Sequence, residues 1–268
     1  MTKDGLVTAG IDIGSLSAKA VIICDGTILS YSNIIAGVDR VEAANKVLNL
    51  ALDGTALSRA DIKYIVGTGY GRYQIPFTNK NVTEITCHAR GSNYFFPKAR
   101  TVLDMGGQDC KAIRCDESGR VMTFVMNDKC AAGTGRSMGV ISKLLNVPLN
   151  DIGPLSLDIK GSAPHLTSVC VVFAKSEALQ MIRRGVPRNE VLAAYCEALA
   201  GRVLSLIKRI GGLEEEFVIS GGIAKNIGVV QRIEKSLGTK ANICFEPQIV
   251  GAVGAALIAR DLLIKSRN

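Results

Sequence analysis

One pattern of strands and turns occurs twice in this chain of 268 residues, and it limits the fold more than any other feature. An apolar run at residues 7–13 leads into an Asp-x-Gly turn that begins at Asp12, and a second run at residues 100–105 leads into the same turn at Asp104. In both halves a second strand, a turn and a third strand follow, which indicates a weak internal duplication of a β-meander. Two such units with helices behind them predict a two-lobed α/β protein with mixed sheets.

Apolar residues at helical spacing predict the helices behind these strands. The predicted helices cover residues 41–52, 137–145, 173–184, 191–209 and 251–265, and further strands are predicted at 62–66 and 217–220. A boundary near residues 97–100 divides the chain into a first lobe, residues 1–98, and a second lobe, residues 99–249. We expect the last helix, within residues 250–266, to pack on the first lobe. The cleft between the lobes is the natural ligand site.

Composition and charge exclude several classes of protein. Hydrophobic residues make up 47% of the chain and charged residues 21%, which is enough for a core. The net charge is +8, but no basic run alternates with aromatic residues, so we expect no binding of nucleic acid. The first residues show no signal-peptide pattern, and the apolar stretch at 251–264 is too short to cross a bilayer. We therefore expect a cytoplasmic protein without a membrane segment.

The first Asp-x-Gly turn has the residue types of a phosphate-binding hairpin. Glycine lets the turn approach a phosphate closely, and backbone N–H groups in such a turn form an anion-binding nest. Asp12 at the strand end could hold Mg²⁺ through water. Taken alone, this segment is more often an ordinary turn. The nucleotide-binding residues predicted here are Gly14, Ser15, Leu16, Ser17 and Lys19.

The second Asp-x-Gly turn repeats the arrangement with Asp104, Gly106 and Gly107. Two facing hairpins with paired aspartates and glycines can grip a triphosphate and its metal ion from both sides. Gln108 is placed to orient an attacking water, as polar amides do in other nucleotide hydrolases. The alternative is a Gly-Gly bulge beside a solvated glutamine. We predict Gln108, Asp104 and Asp12 as the catalytic residues.

A third glycine-rich turn, residues 220–226, follows a predicted strand and opens a helix. Such a turn suits the α-phosphate and ribose, because the N-terminus of the helix adds positive potential. The segment matches neither a Walker loop nor the Rossmann glycine spacing. The nucleotide-binding residues assigned to this side of the cleft are Gly221, Gly222, Ala224, Asn226 and Gln248.

The three turns, in this order and spread over the whole chain, resemble the actin/sugar-kinase/Hsp70 superfamily. This resemblance implies two RNase-H-like lobes that close on Mg-ATP.

Two of the eight cysteines, Cys130 and Cys170, each precede a predicted helix in small or polar surroundings. A thiolate at a helix N-terminus is stabilised by the helix dipole, and so is an anionic metal–sulfur cluster. Their spacing alone favours two ordinary cysteines, because iron–sulfur centres usually take four thiolates. In a two-fold homodimer, the two cysteines of each chain could together supply four thiolates at the symmetry axis. The other cysteines are predicted to be buried thiols in strands or on helix faces: Cys24, Cys110, Cys115, Cys196 and Cys244. Neither the Cys87-His88 pair nor His165 is expected to bind metal.

Five segments together are similar to the activators, or archerases, of 2-hydroxyacyl-CoA dehydratases. That family also includes ATPase subunits of benzoyl-CoA reductases and reductases of double-cubane-cluster proteins. The segments are residues 67–72 (GTGYGR), 87–91 (CHARG), 104–109 (DMGGQD), 127–136 (NDKCAAGTGR) and 170–177 (CVVFAKSE).

The resemblance implies that Cys130 and Cys170 of two subunits hold one [4Fe–4S] cluster. It also implies ATP or ADP with Mg²⁺ in the cleft, ferredoxin or flavodoxin as electron source, and a cysteine-rich iron–sulfur enzyme as acceptor. Gly133, Gly135 and Arg136 are assigned to the nucleotide site as well.

Three functions are consistent with this sequence. The first is an ATP-driven electron donor whose homodimer carries the cluster. The second is a sugar or small-molecule kinase of the same fold without a cluster, which would need an aspartate placed to deprotonate a hydroxyl. The third is a filament- or chaperone-like ATP-binding protein. The sequence does not name the electron acceptor.

Overall fold

The computed structural model describes residues 5–127, 134–166 and 170–267, and in this part of the chain the strands form two β-sheets. The first sheet has five strands in the order β3-β2-β1-β4-β5. Its central strand β1 is antiparallel to β2 and parallel to β4. The strands are β1 (Val7–Ile13), β2 (Ser17–Cys24), β3 (Thr27–Ile35), β4 (Tyr64–Thr68) and β5 (Lys80–Asn81).

The second sheet repeats this arrangement with four strands in the order β8-β7-β6-β9. Its strand β6 is antiparallel to β7 and parallel to β9, as β1 is to β2 and β4. The duplicated strand pattern predicted from the sequence is therefore confirmed in both sheets. The strands are β6 (Ala99–Met105), β7 (Cys110–Cys115), β8 (Val121–Asn127) and β9 (Glu216–Ser220).

Eight α-helices surround the sheets in the described residues, and each of the five predicted helices is among them. Local signals start several of them, since the side chain of Asp39 caps the first helix and that of Asn226 caps the seventh. The helices are α1 (Arg40–Leu52), α2 (Glu84–Phe95), α3 (Gly135–Leu145), α4 (Leu149–Leu157), α5 (Val171–Arg183), α6 (Arg188–Arg209), α7 (Ile227–Leu237) and α8 (Val250–Arg267).

The sequence did not predict α2 and α4. The buried side of α2 consists mostly of small or polar residues, including His88 and Ser92, so no apolar stripe marks it. Within α4, Gly153 is followed by Pro154, a pair that normally signals the end of a helix. Both helices are held by their packing against other elements.

Helices α2 and α8 cross in close contact beside the first sheet. A Cβ atom added at Gly254 of α8 would overlap the carbonyl oxygen of Cys87, and one added at Gly91 of α2 would overlap that of Val250. Helix α8 packs on β1, β2 and β4, whereas α2 also contacts all four strands of the second sheet. The helix pair therefore joins the two sheets.

The cores on the two sheets are largely aliphatic, as expected for a chain without tryptophan. Ile11, Val47 and Leu48 are among the fully buried residues of the first core. Leu103 and Ile141 lie in the largest core, which covers the second sheet and its helices. None of the helices in the described part of the chain has both the length and the apolar character needed to cross a membrane.

The contact between α2 and α8 can be tested with Gly254→Ala. We expect this substitution to lower the free energy of unfolding by roughly 1–3 kcal/mol, because the new methyl group has to displace the backbone of α2. Urea denaturation measures the change.

Gly201→Ala is the matched control. Gly201 lies on an exposed part of α6, and a Cβ atom there would meet nothing within 4 Å, so alanine should stabilise the protein by about 0.5–1 kcal/mol. Equal stabilisation by both substitutions would contradict the close helix crossing.

Candidate nucleotide-binding site

The β1–β2 and β6–β7 connections are the same kind of turn. In the first, the N–H of Gly14 donates to the carbonyl of Ser17 at 2.9 Å, and in the second, the N–H of Gly106 donates to the carbonyl of Asp109 at 2.9 Å. In the first turn, the guanidinium of Arg40 donates to the carbonyl oxygens of Gly14 and Ser15. These carbonyls are thus held toward α1.

Each hairpin also carries an aspartate directly across from a lysine. Asp12 is the strand partner of Lys19, whose Nζ lies 3.0 Å from Asp12 Oδ2. Asp104 is the partner of Lys111, whose Nζ lies 3.6 Å from Asp104 Oδ2. Lys111 was not predicted as a site residue, although the pattern D-x-G-x-x-x-x-K occurs in both hairpins and could have identified it.

The two hairpins meet, and the second one is bonded to α3. A Cβ atom at Gly107 would lie 2.8 Å from Ser15 Oγ and from Leu16 Cγ. The N–H of Gly135 donates to the carbonyl of Gly106 at 3.0 Å, and the N–H of Arg136 donates to that of Gly107 at 2.8 Å. The first turn of α3 is therefore attached to the second hairpin through its backbone.

The third glycine-rich turn packs under the second hairpin. Gly221 has φ of 86°, and a Cβ atom there would overlap the carbonyl oxygen of Met105, so both the backbone conformation and the space require glycine. Asn226 caps α7 by accepting a hydrogen bond from the N–H of Val229 at 3.0 Å. Gln248 accepts one from Asn33 across the cleft mouth at 3.1 Å.

These turns enclose one cavity of about 700 Å³ between the sheets. Most of the predicted nucleotide and catalytic residues line it: Asp12, Gly14, Ser15, Leu16, Ser17, Lys19, Asp104, Gly106, Gly107, Gln108, Gly135, Gly221, Gly222, Asn226 and Gln248.

Other predicted residues lie elsewhere. Ala224 is buried in the core of the second sheet, and Arg136 is exposed to solvent; neither lines the cavity. Ala224 lies in a short helical turn at residues 222–225, and Arg136 lies in the first turn of α3. Both turns direct these side chains away from the cleft. Gly133 and Cys130 lie outside the described residues.

Seven charged or polar residues that line the cavity were not predicted as site residues: Tyr70, Glu84, His88, Asp109, Lys111, Asn150 and Lys225. Lys111 Nζ lies 2.7 Å from Asp109 Oδ1 and 3.9 Å from Glu84 Oε1. Glu84 also pairs with Arg72 at 3.1 Å. His88 could not be assigned to the cavity because α2 itself was not predicted, and only a helix places Glu84 and His88 on one face.

The buried charges in the cavity stabilise one another. Burial alone would raise the pKa of Asp104, but the neighbouring His88, Lys111 and Lys19 hold that pKa below its usual value. Burial alone would lower the pKa of Lys111, but Asp104 and Asp109 raise it. Asp104 and Lys111 are therefore a charged pair that faces the cavity.

The donor set at the cavity fits a hydrated Mg²⁺ ion. Carboxylate oxygens of Asp12 and Asp104 line the cavity from opposite hairpins, and Mg²⁺ prefers such oxygens together with water and phosphate. In the described ranges, no three His, Cys, Asp or Glu side chains are grouped as ligands of one metal ion. Water and phosphate oxygens would therefore have to complete its coordination.

The described cysteines differ in their surroundings. Cys170 is half-buried at the residue that precedes the first turn of α5. Cys110, Cys115 and Cys196 are buried, as predicted. The prediction was wrong for Cys24 and Cys244, which are only half-buried. Cys24 ends β2 beside an exposed turn, and Cys244 lies in the connection from α7 to α8, not in a strand or helix.

Cys87 and His88 lie in different surroundings. Cys87 is buried in the small core between α2, α8 and β4, and burial raises the pKa of its thiol to about 12. His88 lines the cavity. His165 lies in an exposed loop, as predicted.

A cleft formed by two phosphate-type hairpins and a third glycine-rich turn, between two sheets of the same topology, defines a nucleotide-binding protein of the actin/sugar-kinase/Hsp70 fold. Its likeness to a ROK family glucokinase from Streptomyces griseus, with a TM-score of 0.55 at 18% identity over 95% of this chain and 99% of that one, confirms the fold. The chain belongs to the BadF/BadG/BcrA/BcrD ATPase family, which matches residues 9–259.

Its relatives include activators of CoA dehydratases. The chain is 41% identical to an activator of lactoyl-CoA dehydratase from Anaerotignum propionicum, over 96% of this chain and 98% of that protein. It superimposes on the activator of the 2-hydroxyisocaproyl-CoA dehydratase from Clostridium difficile with bound ADPNP, with a TM-score of 0.92. That protein is 38% identical, and the match covers 97% of each chain. The family resemblance stated from the sequence motifs is confirmed.

The buried pair in the second hairpin can be tested with Lys111→Met. At pH 7 this substitution should lower the free energy of unfolding by roughly 3–5 kcal/mol, because it removes a counter-charge of the buried Asp104 carboxylate. Asp104 has a lowered pKa in the folded state, so its contribution is present above an unfolded-state pKa of about 3.9 and is lost as the pH falls below it. Denaturant unfolding across this pH range should therefore show the difference from wild type shrinking in acid.

Lys240→Met is the control, since Lys240 forms an exposed pair with Glu234. Removal of that pair should cost less than about 1 kcal/mol at any pH. A Lys111→Met protein as stable as the Lys240→Met protein at pH 7 would contradict the assignment of a buried charged pair.

Proposed function

We propose that this chain hydrolyses ATP in the cleft and uses the reaction to drive electrons onto a partner iron–sulfur enzyme. In this proposal two copies form a homodimer that holds one bridging [4Fe–4S] cluster. The observation that supports it most is the backbone attachment of the second hairpin to the first turn of α3. Helix α3 begins directly after the segment that contains Cys130.

The nucleotide would be held from both sides of the cavity. Ser15, Ser17 and Lys19 face it from the first hairpin, and Gly106 and Gly107 face it from the second. The backbone N–H groups of these turns suit phosphate oxygens, and the third turn suits the nucleoside. When bound with the nucleotide near Asp12 and Asp104, Mg²⁺ supplies positive charge that stabilises the phosphates.

Gln108 is the residue we assign to the attacking water. Its side chain is exposed to solvent and lines the cavity at the tip of the second hairpin. An amide can donate to one water and accept from it, and can thus orient the water toward a phosphate. Asp104, held at the base of the same hairpin, would keep the charge balance of the site during hydrolysis.

The backbone hydrogen bonds between the second hairpin and α3 would transmit movements caused by nucleotide binding or hydrolysis to residues outside the cleft. A shift of Gly106 and Gly107 must move the N–H groups of Gly135 and Arg136, which are bonded to their carbonyl oxygens. Helix α3 also packs against α5, the helix that begins after Cys170. Movement of the hairpin would therefore reach both cysteine segments, and hydrolysis would reverse it.

The chemistry around Cys170 fits a cluster ligand. Its thiol is half-buried at the N-terminus of α5, where the helix dipole favours negative charge. Val172 and Phe173, in the first turn of α5, are 67% and 66% exposed and are suited to contact with a second copy. When bound by Cys130 and Cys170 of two subunits, a [4Fe–4S] cluster supplies a carrier for one electron.

The relatives suggest the class of partner. Activators of lactoyl-CoA and 2-hydroxyisocaproyl-CoA dehydratases are similar to this chain over nearly its whole length. We propose that the acceptor is a cysteine-rich iron–sulfur enzyme of the 2-hydroxyacyl-CoA dehydratase or double-cubane type. Ferredoxin or flavodoxin would be the electron source, and the net charge of +8 favours docking of acidic protein surfaces.

The cluster assignment is tested by Cys170→Ala after anaerobic reconstitution with iron and sulfide. We expect the variant to lose the bound iron and the brown colour, because each dimer would lose two of four thiolates. Nucleotide binding, measured with a fluorescent ATP analogue, should remain. Cys244→Ala, which replaces another half-buried cysteine, is the control and should keep its iron. Wild-type iron content in Cys170→Ala would rule out the proposed cluster site.

The link through α3 is tested by Gly135→Pro. Proline is accepted at the first position of a helix but has no N–H, so it removes the bond to the Gly106 carbonyl while α3 can still form. We expect the variant to bind iron, but ATP should change the EPR spectrum of the reduced protein less than in wild type, because only the bond from Arg136 to the Gly107 carbonyl remains.

Gly135→Ala is the matched control, because it keeps the N–H and its Cβ atom would come no closer than 3.4 Å to its neighbours. An ATP-induced change of wild-type size in the proline variant would refute the link.

A further inference from the structure

His88 connects the two sheets at the base of the cavity. It lies on α2, which follows the first sheet, and it is 5% exposed. Its Nδ1 lies 3.0 Å from Oγ of Ser220 and 3.4 Å from Oδ1 of Asp104. Asp104, one residue before the end of β6, and Ser220, the last residue of β9, are direct strand partners in the second sheet. A single ring from α2 thus reaches the strand end that carries the second hairpin.

The hydrogen bonds among these three residues have one consistent direction. Ser220 Oγ lies 3.2 Å from Asp104 Oδ1, and an ionised carboxylate can only accept, so the hydroxyl donates to Asp104. The hydroxyl has no second proton, so its contact with His88 must be one that it accepts from Nδ1–H. The network therefore assigns the ring proton to Nδ1 and runs from His88 through Ser220 to Asp104.

The two carboxylate oxygens of Asp104 have different partners. Oδ1 receives the Ser220 hydroxyl, while Oδ2 faces Lys111 Nζ. Asp104 is therefore restrained at both carboxylate oxygens. By contrast, among the described residues Asp12 receives a side-chain hydrogen bond from Lys19 alone. Asp12 occupies the equivalent place in the first hairpin but lacks this second restraint.

The imidazole ring is itself restrained on its far side. A Cβ atom at Gly251 of α8 would lie 2.9 Å from His88 Nε2, so α8 closes against that edge of the ring. The Nδ1 edge faces β6 and β9. A ring confined between a helix and two strands can fix the orientation of Ser220 and Asp104 without large fluctuations.

We propose that His88 is a positioning residue for ATP hydrolysis, which acts on the Asp104 carboxylate through the Ser220 hydroxyl. This inference rests on the proposed hydrolysis of ATP in the cleft but not on electron transfer. Because the phosphates would be held by the backbone of the hairpins, a misoriented Asp104 lowers kcat and leaves KM for ATP nearly unchanged.

Two substitutions separate the contribution of the Nδ1–H donor to kcat from that of the other atoms of the ring. His88→Asn places an amide N–H donor near the position of Nδ1, whereas His88→Gln extends its amide toward the position of Nε2. We expect His88→Gln to lose about 10- to 100-fold in kcat, the loss typical of a group that orients a ligand carboxylate. His88→Asn should recover most of this loss. Equal activities of the two variants, or losses that appear in KM instead of kcat, would overturn the proposal.

A double-mutant cycle with Ser220→Ala tests the path. If His88 acts through Ser220, the kcat of the double variant His88→Gln/Ser220→Ala should be close to that of the lower single variant. A kcat loss in the double variant equal to the product of the two single-variant losses would show that His88 acts by another route. That result would contradict the proposal. Denaturant unfolding of each variant identifies any that simply fails to fold, and His88→Asn remains informative in that case.

The tautomer provides a measurement that does not depend on ATP hydrolysis. The chain has two histidines, His88 and His165, so ¹⁵N-histidine labelling with His165→Gln leaves one ring to observe. The ring nitrogen shifts of the full-length protein, followed as the pH is raised, should show a proton on Nδ1 in every charge state of the ring. A neutral ring with its proton on Nε2 would overturn the proposal.

The outcomes separate this proposal from the proposed function. A wild-type protein that hydrolyses ATP without reducing any acceptor would refute electron delivery and leave the role of His88 intact. A wild-type protein that shows the Nδ1 proton but hydrolyses no ATP would refute both the proposed function and the catalytic consequence of this network.

Discussion

The close crossing of α2 and α8 is the constraint on which the cleft depends. Glycines at the crossing let the two backbones touch, so α8 can lie on the first sheet while α2 reaches the second. This contact sets the distance between the two hairpins and brings Glu84 and His88 into the cavity. Larger side chains at the crossing would separate the helices and move the two aspartates apart.

Within the cleft, charges that are costly to bury are arranged in complementary pairs. Each aspartate lies across from a lysine of its own hairpin, and the second pair has additional partners in Asp109, Glu84 and His88. Each of these lysines and carboxylates has a counter-charge nearby even without a ligand, which offsets part of the cost of burial. Binding of a nucleotide would then exchange these partners instead of creating new buried charges.

Local sequence signals were sufficient for all the described strands except β5, for three turns and for most helices. Short apolar runs and the turns beside them are short-range features, and these strands could be predicted from them, whereas the two-residue strand β5 has no such run. Helix α2 could not, because its buried face is polar and is selected by contact with the second sheet. His88 was missed because the face of α2 that it occupies becomes visible only when that helix is placed in space, whereas Lys111 was missed although the repeated D-x-G-x-x-x-x-K pattern marks it in the sequence. The burial of Cys24 and Cys244 was overestimated because residues at strand ends and in connections lack neighbours on one side.

The first two amides of α3 are already occupied by carbonyl oxygens of the second hairpin. The free N–H groups at a helix start usually attract an anion directly, but these two are not available for that purpose. If α3 responds to the nucleotide as proposed, it would therefore respond to a displacement of these two peptide groups and not to electrostatic attraction by the phosphate. Such a response would depend on how far the turn moves and not on which ligand moved it. Discrimination between ATP and other ligands would then have to arise at the other walls of the cavity.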